Sequence, residues 1–166
     1  MKGLFKRCIF LTGRIEPGEA FEKFVSNFGR VISITEPEDE ITLVINSVGG
    51  DTQTGLSIYD LILGSGRNIT GIVLGRADSM ALVVLQACKK RMMSRNSTVL
   101  AHLTKIVLNN LEVKEAEDAV KRYKKLEKSM IDILVSRTKI RKLDGQCCYD
   151  ANEALEAGLV DEIYGA

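Results

Sequence analysis

The sequence predicts an α/β fold in which helices cover a parallel sheet. Short segments rich in β-branched residues alternate with longer segments in which apolar residues recur with a helical period. Glycines stand where strand segments give way to helical ones, as is typical of short strand-to-helix connections. The predicted strands are residues 8–11, 41–45, 69–74, 98–101 and 159–163, and the predicted helices between them are residues 20–35, 52–63 and 79–87.

A longer amphipathic helix is predicted from residue 113 to about 137. Its apolar residues recur at threes and fours, and i,i+4 pairs such as Glu117 with Lys121 support the helix on its charged side. Two interpretations remain open for the apolar stripe. The helix lies over the sheet, or it projects from the core and buries the stripe against another subunit, which is the interpretation we favour.

Composition argues against several classes of function. The length of 166 residues suits one domain over residues 1–166, and the net charge of +1 gives no field that attracts nucleic acid. Aromatic residues make up 5% of the chain, so base-stacking platforms are not expected. The four cysteines form no C-x-x-C pair, and we expect neither a metal nor a cofactor. Because no apolar stretch reaches membrane-spanning length, we expect a cytoplasmic protein without a membrane partner.

Three features fall at the ends of consecutive predicted strands, the edge of a parallel sheet where sites usually form. Ser79 begins a short apolar helix, where it either caps the helix or serves as a nucleophile beside free backbone N–H groups. The pair Gly49 and Gly50 makes a tight turn or lets a backbone N–H approach a ligand. His102, the one histidine of the chain, follows the strand 98–101. A Ser–His pair for acyl transfer is therefore the leading hypothesis.

Read together, these segments resemble the ClpP family, the serine peptidases that form the proteolytic chamber of ATP-dependent Clp proteases. The segment I-N-S-V-G-G at residues 45–50 is similar to the family's I-N-S-P-G-G turn, and A-D-S-M-A at 77–81 resembles the residues around its nucleophile. The strand N-S-T-V-L-A-H ends on the counterpart of the catalytic histidine, and A-N-E-A-L-E-A-G-L-V-D at 151–161 resembles the family's C-terminal motif.

The resemblance implies a crotonase-like stack of ββα units with a handle, a protruding strand and a long helix, at about residues 103–137. It implies that Ser79 is the nucleophile and His102 the general base, with Gly50 and Met80 donating backbone N–H groups to the oxyanion. Substrates would be unfolded proteins or short peptides, bound extended near Gly50 and after His102. Self-association would give heptameric rings stacked as a tetradecamer.

The third member of the catalytic triad has two candidates. The family's aspartate falls on Gln146, whereas Asp144 lies two residues earlier. A glutamine can orient an imidazole but cannot stabilise its positive charge as a carboxylate does. We take Asp144 as the third member, with Gln146 as the alternative.

Two departures leave other functions open. Thr42 and Val44 stand where aromatic residues often help to form the docking pocket for the ATPase ring, so partnership with a Clp ATPase stays an open question. Gln146 motivates a second hypothesis, a catalytically impaired structural subunit. A third is an acyl-CoA enzyme of the related crotonase fold, in which Gly49 and Gly50 would polarise a thioester carbonyl.

Overall fold

The computed structural model describes residues 7–143 and 145–165. They form, in chain order, β1 (Cys8–Ile15), α1 (Glu19–Ser33), β2 (Glu40–Gly50), α2 (Thr52–Gly64), β3 (Asn68–Asp78), α3 (Met80–Leu85), β4 (Lys90–Ser94), β5 (Thr98–His102), α4 (Val113–Arg137), β6 (Gln146–Tyr149), α5 (Ala151–Glu156) and β7 (Glu162–Tyr164). The mixed α/β class with a mostly parallel sheet is confirmed.

The described strands share one sheet, and β3 is the strand that positions the site. Strands β1, β2, β3, β4 and β7 lie side by side in that order, all parallel. The first half of β3 pairs with β4, and its last residues, Arg76 to Asp78, pair with β5. Because β3 ends just before Ser79 and β5 ends on His102, this pairing carries both residues to the same edge of the sheet.

The core contains all of α3 and the buried faces of α1 and α2. Every residue of α3 is at most 1% exposed, so this short helix is sealed inside the protein. The cause is its sequence, Met-Ala-Leu-Val-Val-Leu, which is apolar on all sides and therefore has no face that favours water. Ser79 thus enters a helix whose position is fixed by packing.

Several element boundaries differ from the sequence-based expectations. Strand β2 continues through Gly50 and β3 through Asp78, so the predicted glycine turns are the ends of strands. The prediction of a strand at residues 159–163 is wrong in its position, because the strand begins at Glu162, after a turn. Strands β4 and β6 and helix α5 were not predicted, since they are short and their sequences lack the alternation or the length that marks an element.

The long helix is confirmed, but the strand that the resemblance implies before it is not formed. Residues 103–112 lie between β5 and α4 and include neither helix nor strand. The physical reason is that a strand needs a neighbour for its ladder of hydrogen bonds, and this chain places no other described strand beside the segment. Helix α4 has only Met130 and Leu134 buried, so most of its length stands away from the core.

A buried arginine ties the end of α4 to the sheet. Arg91 forms an ion pair with Asp161 and donates to the side-chain oxygen of Gln86 at 2.6 Å and to the carbonyl oxygens of Gly158 at 2.9 Å and Arg137 at 3.0 Å. Partial burial alone would raise the pKa of Asp161, but the hydrogen bonds and the charge of Arg91 outweigh it and hold that pKa below its usual value.

Among the described residues, no helix is long and apolar enough to cross a membrane.

Candidate active site

Ser79 stands on a strained turn between β3 and α3. Its φ of 54° and ψ of −121° lie in a region of backbone conformation that residues with a Cβ rarely adopt. Its backbone N–H donates to the carbonyl of Leu100 at 2.7 Å, which joins the turn to β5. Ser79 occupies the N-cap position of α3, yet its side chain makes no capping hydrogen bond. The hydroxyl is therefore not used for capping, which was the competing interpretation.

Gly49 is the residue against which the Ser79 turn packs. A Cβ built on Gly49 would lie 2.3 Å from the carbonyl oxygen of Asp78 and 2.9 Å from the backbone nitrogen of Met80. Both neighbours are backbone atoms that cannot move aside, so only glycine fits here. Gly50, at φ 150°, likewise lies so close to the Ile15 carbonyl oxygen that a Cβ would reach 2.1 Å. The two glycines let β2 pass close to β1 and to the Ser79 turn at once.

His102 ends β5 and is partly buried. Its ring nitrogen Nδ1 lies 2.5 Å from the carbonyl oxygen of the next residue, Leu103. That contact holds the ring if Nδ1 carries the proton, which leaves Nε2 as the acceptor. In this tautomer the Nε2 lone pair stays free, and among the described residues no hydrogen bond joins it to Ser79.

Ser79 and His102 line one cleft of about 220 Å³. The residues around this cleft are Arg14, Val48, Gly50, Thr52, Ser79, His102, Thr104, Lys105 and Met130. Three of the residues singled out from the sequence, Ser79, His102 and Gly50, are thus brought together by the ends of β3, β5 and β2. Met80 is only 1% exposed and its backbone nitrogen follows Ser79 directly, at the first helical position. First-turn N–H groups have no partner within a helix.

Comparison with known proteins decides the family. The family model of Clp protease matches residues 2–166. The chain is also 31% identical to ATP-dependent Clp protease proteolytic subunit 1 of Corynebacterium glutamicum, over 96% of this chain and 79% of that protein. The chain belongs to the Clp protease family. Its mostly parallel α/β sheet is consistent with the Clp protease fold, and membership supports a ClpP-type peptidase.

The third member of a Clp protease triad has two candidates in this chain. Asp144 lies outside the described residues. Gln146 is the first residue of β6, and the antiparallel ladder pairs it directly with His102. Residues directly opposite each other in such a ladder have side chains on the same face, with Cβ atoms about 4.5–5.5 Å apart. The ladder therefore puts an uncharged amide residue directly opposite His102, although no hydrogen bond joins the two side chains among the described residues.

Sequence reasoning did not assign the other six lining residues to the site: Arg14, Val48, Thr52, Thr104, Lys105 and Met130. Arg14 lies near the end of β1 and Thr52 begins α2, so the rule that sites form at strand ends could have found both. Met130 was assigned to the apolar stripe of the long helix, and it is indeed buried.

Within the described chain, no group of three metal-ligating side chains is placed to hold a metal ion.

Proposed function

We propose that this member of the Clp protease family is a serine endopeptidase that hydrolyses peptides and unfolded proteins inside an oligomeric chamber. The observation that carries the proposal is the cleft shared by Ser79 and His102, in which the serine hydroxyl makes no capping hydrogen bond. A strained serine between a strand and a buried helix is what a nucleophile requires, because the turn exposes its oxygen while the backbone stays fixed.

The proposed reaction runs in two halves. His102 takes the proton of the Ser79 hydroxyl as the serine oxygen forms a bond to the scissile carbonyl carbon. The tetrahedral intermediate then collapses, the carbon–nitrogen bond breaks, and His102 gives its proton to the leaving amine. A water molecule repeats the attack on the acyl-enzyme, with His102 again as the base, and releases the carboxylate product and free Ser79.

The negative charge of each tetrahedral intermediate needs donors, and we assign the backbone N–H groups of Gly50 and Met80 to that role. The closeness of Gly49 to Asp78 and Met80 supports the assignment, because it brings the end of β2 against the first turn of α3. Donors on fixed backbone need no reorganisation when charge develops, and removing one such donor typically costs about 100-fold to 1,000-fold in rate.

The group that orients His102 is the open part of the mechanism. The carbonyl of Leu103 already contacts Nδ1, and Gln146 lies opposite across the ladder. Asp144 remains the carboxylate that the sequence proposes for the same task. Comparing Asp144→Asn with Gln146→Ala separates them: a loss of peptidase rate of about 100-fold or more in the first variant alone would assign Asp144. Small losses of peptidase rate in both variants would indicate that the Leu103 carbonyl orients the His102 imidazole.

Assembly into heptameric rings, stacked as a tetradecamer, completes the proposal. Helix α4 carries exposed apolar residues toward its N-terminus, and Leu111, Val113, Ala116 and Val120 line a groove there. A stripe of this kind is what an interface between copies would bury. The relative from Corynebacterium glutamicum is named as a subunit of an ATP-dependent protease. A pull-down with a Clp ATPase tests whether such an ATPase also binds this protein and delivers substrates to it.

A catalytically impaired structural subunit is the second candidate, and the pairing of Gln146 with His102 favours it. Without a carboxylate, the imidazolium formed during the reaction is less stabilised. The two candidates differ in where activity is found. Robust peptidase activity of the pure homo-oligomer would exclude the structural subunit, whereas activity that needs a second, active subunit would support it.

Labelling with a fluorophosphonate tests the central proposal. The assembled wild-type protein should bind one probe per chain, located on Ser79 by mass spectrometry, and Ser79→Ala should bind none. His102→Ala should slow labelling by about 1,000-fold or more, since no other histidine can replace the base. Ser57→Ala, an exposed serine on α2, is the matched control and should label like wild type. Equal labelling of Ser79→Ala, or none of the assembled wild type, contradicts the proposal.

A further inference from the structure

Lys105 is a charged residue in the cleft that the proposed chemistry does not use. It lines the cleft around Ser79 and His102, and it also lines an adjoining groove of about 500 Å³ together with Asp51 and Tyr123. Its side chain is exposed. Lys105 makes no ion pair and no side-chain hydrogen bond with any residue in the described part of the chain. An ammonium group with no partner among the described residues therefore lines the cleft.

Among the described residues, the cleft around Ser79 and His102 is lined by two cationic side chains and by no acidic one. Of the described residues, the charged side chains that line the cleft are Arg14 and Lys105. The acidic groups nearby already have partners. Glu16 lies 2.9 Å from the Nε of Arg14, and one Asp51 carboxylate oxygen accepts from the backbone nitrogen and the hydroxyl of Thr54, both at 2.7 Å.

Glu127 on α4 is also engaged. One of its carboxylate oxygens accepts from the backbone nitrogen of Thr104 at 2.8 Å, which also holds the segment that carries Lys105. The rest of the cleft is neutral, with Val48, Thr52 and Met130 among its walls. A carboxylate that a substrate brings into the cleft would give the Lys105 ammonium an acidic partner, which it does not have among the described residues.

We infer that Lys105 is a specificity-determining residue, which makes the cleft favour a glutamate or aspartate side chain on the residue that supplies the scissile carbonyl. The inference rests on the proposed function of Ser79 and His102, and it adds the class of substrate. Arg14 contributes less, because Glu16 already neutralises it. The substrate class is thus a peptide with an acidic residue directly before the cleaved bond.

Two peptide diphenyl phosphonates test the inference. They differ only in carrying a glutamate or a glutamine side chain next to phosphorus, so their rates of labelling Ser79 differ only through that charge. The wild type at low salt should react about fivefold faster with the glutamate probe, the upper end of what an exposed ion pair contributes. The ratio should fall toward one in high salt, because ions screen an exposed pair.

Variants of Lys105 locate the effect. Lys105→Gln should react equally with both probes, Lys105→Glu should prefer the glutamine probe, and Lys105→Arg should keep the wild-type preference. Lys89→Glu is the matched control, since Lys89 is exposed at the opposite end of the sheet, where its backbone nitrogen bonds the Ile69 carbonyl. Its probe ratio should be that of wild type.

The outcomes separate this inference from the proposed function. If an uncharged fluorophosphonate labels Ser79 while wild type reacts equally with the two peptide probes, the specificity of Lys105 is overturned and the peptidase mechanism stands. A glutamate preference that survives in Lys105→Gln overturns it as well. If no probe labels Ser79 in the assembled protein, the proposed function fails and the inference fails with it.

Discussion

The Ser79 turn and the segment after His102 meet in one cleft, but the chain holds them by different means. The turn is fixed by backbone: Gly49 packs against it, the Leu100 carbonyl bonds its N–H, and the buried helix α3 follows. The segment from Leu103 to Glu112 has no helix or strand. The Thr104 backbone N–H donates a hydrogen bond to the Glu127 carboxylate, which ties the segment to α4.

This difference teaches how the two halves should respond to change. Buried backbone packing has few alternative arrangements, so disturbing the packing around the Ser79 turn should lower the labelling rate strongly. A segment held by single hydrogen bonds can adjust. Substitutions around the segment after His102 should therefore change the rate by smaller, graded amounts. The rate of the proposed reaction would then be set mainly by how well the imidazole is oriented.

Among the substitutions that leave Ser79 and His102 in place, the largest loss in this comparison of the two regions is expected from Gly49→Ala. The new Cβ would meet the Asp78 carbonyl at 2.3 Å, and the φ of 73° is itself unfavourable for alanine. The turn must move, and a shift of about 1 Å costs roughly 100-fold in labelling rate. The free energy of unfolding should fall by about 2–4 kcal/mol.

Gly29→Ala is the control for that substitution. Gly29 lies within α1 with nothing near its position for a Cβ, so alanine should stabilise the protein by about 0.5–1 kcal/mol and leave labelling unchanged. Chemical denaturation and fluorophosphonate labelling measure both quantities. A Gly49→Ala protein that labels at the wild-type rate would contradict the rigid-turn interpretation.

A gain of rate is expected on the histidine side from Gln146→Asp. The ladder places residue 146 opposite His102, so a carboxylate there can accept the Nδ1 proton and stabilise the imidazolium. We expect peptidase and labelling rates to rise about tenfold. Gln146→Asn is the control: asparagine has the same length as aspartate but no charge, so this variant should show no gain in rate. If the asparagine and aspartate variants react alike, the ladder does not bring residue 146 to the imidazole.

The difference between the two regions also explains what the sequence could and could not predict. Ser79, His102 and Gly50 were found because each stands near the end of a strand, and parallel strands bring their ends together. The resemblance offered Gln146 as an alternative partner of His102, but the strand ladder that pairs the two was not predicted, because register between distant strands depends on the whole sheet. The cation of Lys105 was missed for a related reason, since a segment without regular structure has no periodicity to place its side chains.

A smaller loss is expected when the tether of the histidine segment is cut. Glu127→Ala removes the acceptor of the Thr104 N–H, so residues after His102 should sample more positions. Labelling should slow about threefold to fivefold, while stability falls by about 1 kcal/mol. Glu127→Gln keeps an oxygen acceptor and should restore most of the rate. Asp132→Ala, which breaks an exposed pair with Lys128 on the same helix, should change neither.

The smallest effect concerns the strain at Ser79 itself. At φ 54°, Ser79→Ala keeps the Cβ that the backbone disfavours, whereas Ser79→Gly removes it. Although glycine orders at a greater entropic cost, the glycine variant should be more stable than the alanine variant by about 1 kcal/mol. Ser57, in the middle of α2, should show the reverse order. Denaturation at one fixed protein concentration measures both pairs, and the same order at both sites would mean that the Ser79 turn stores no strain.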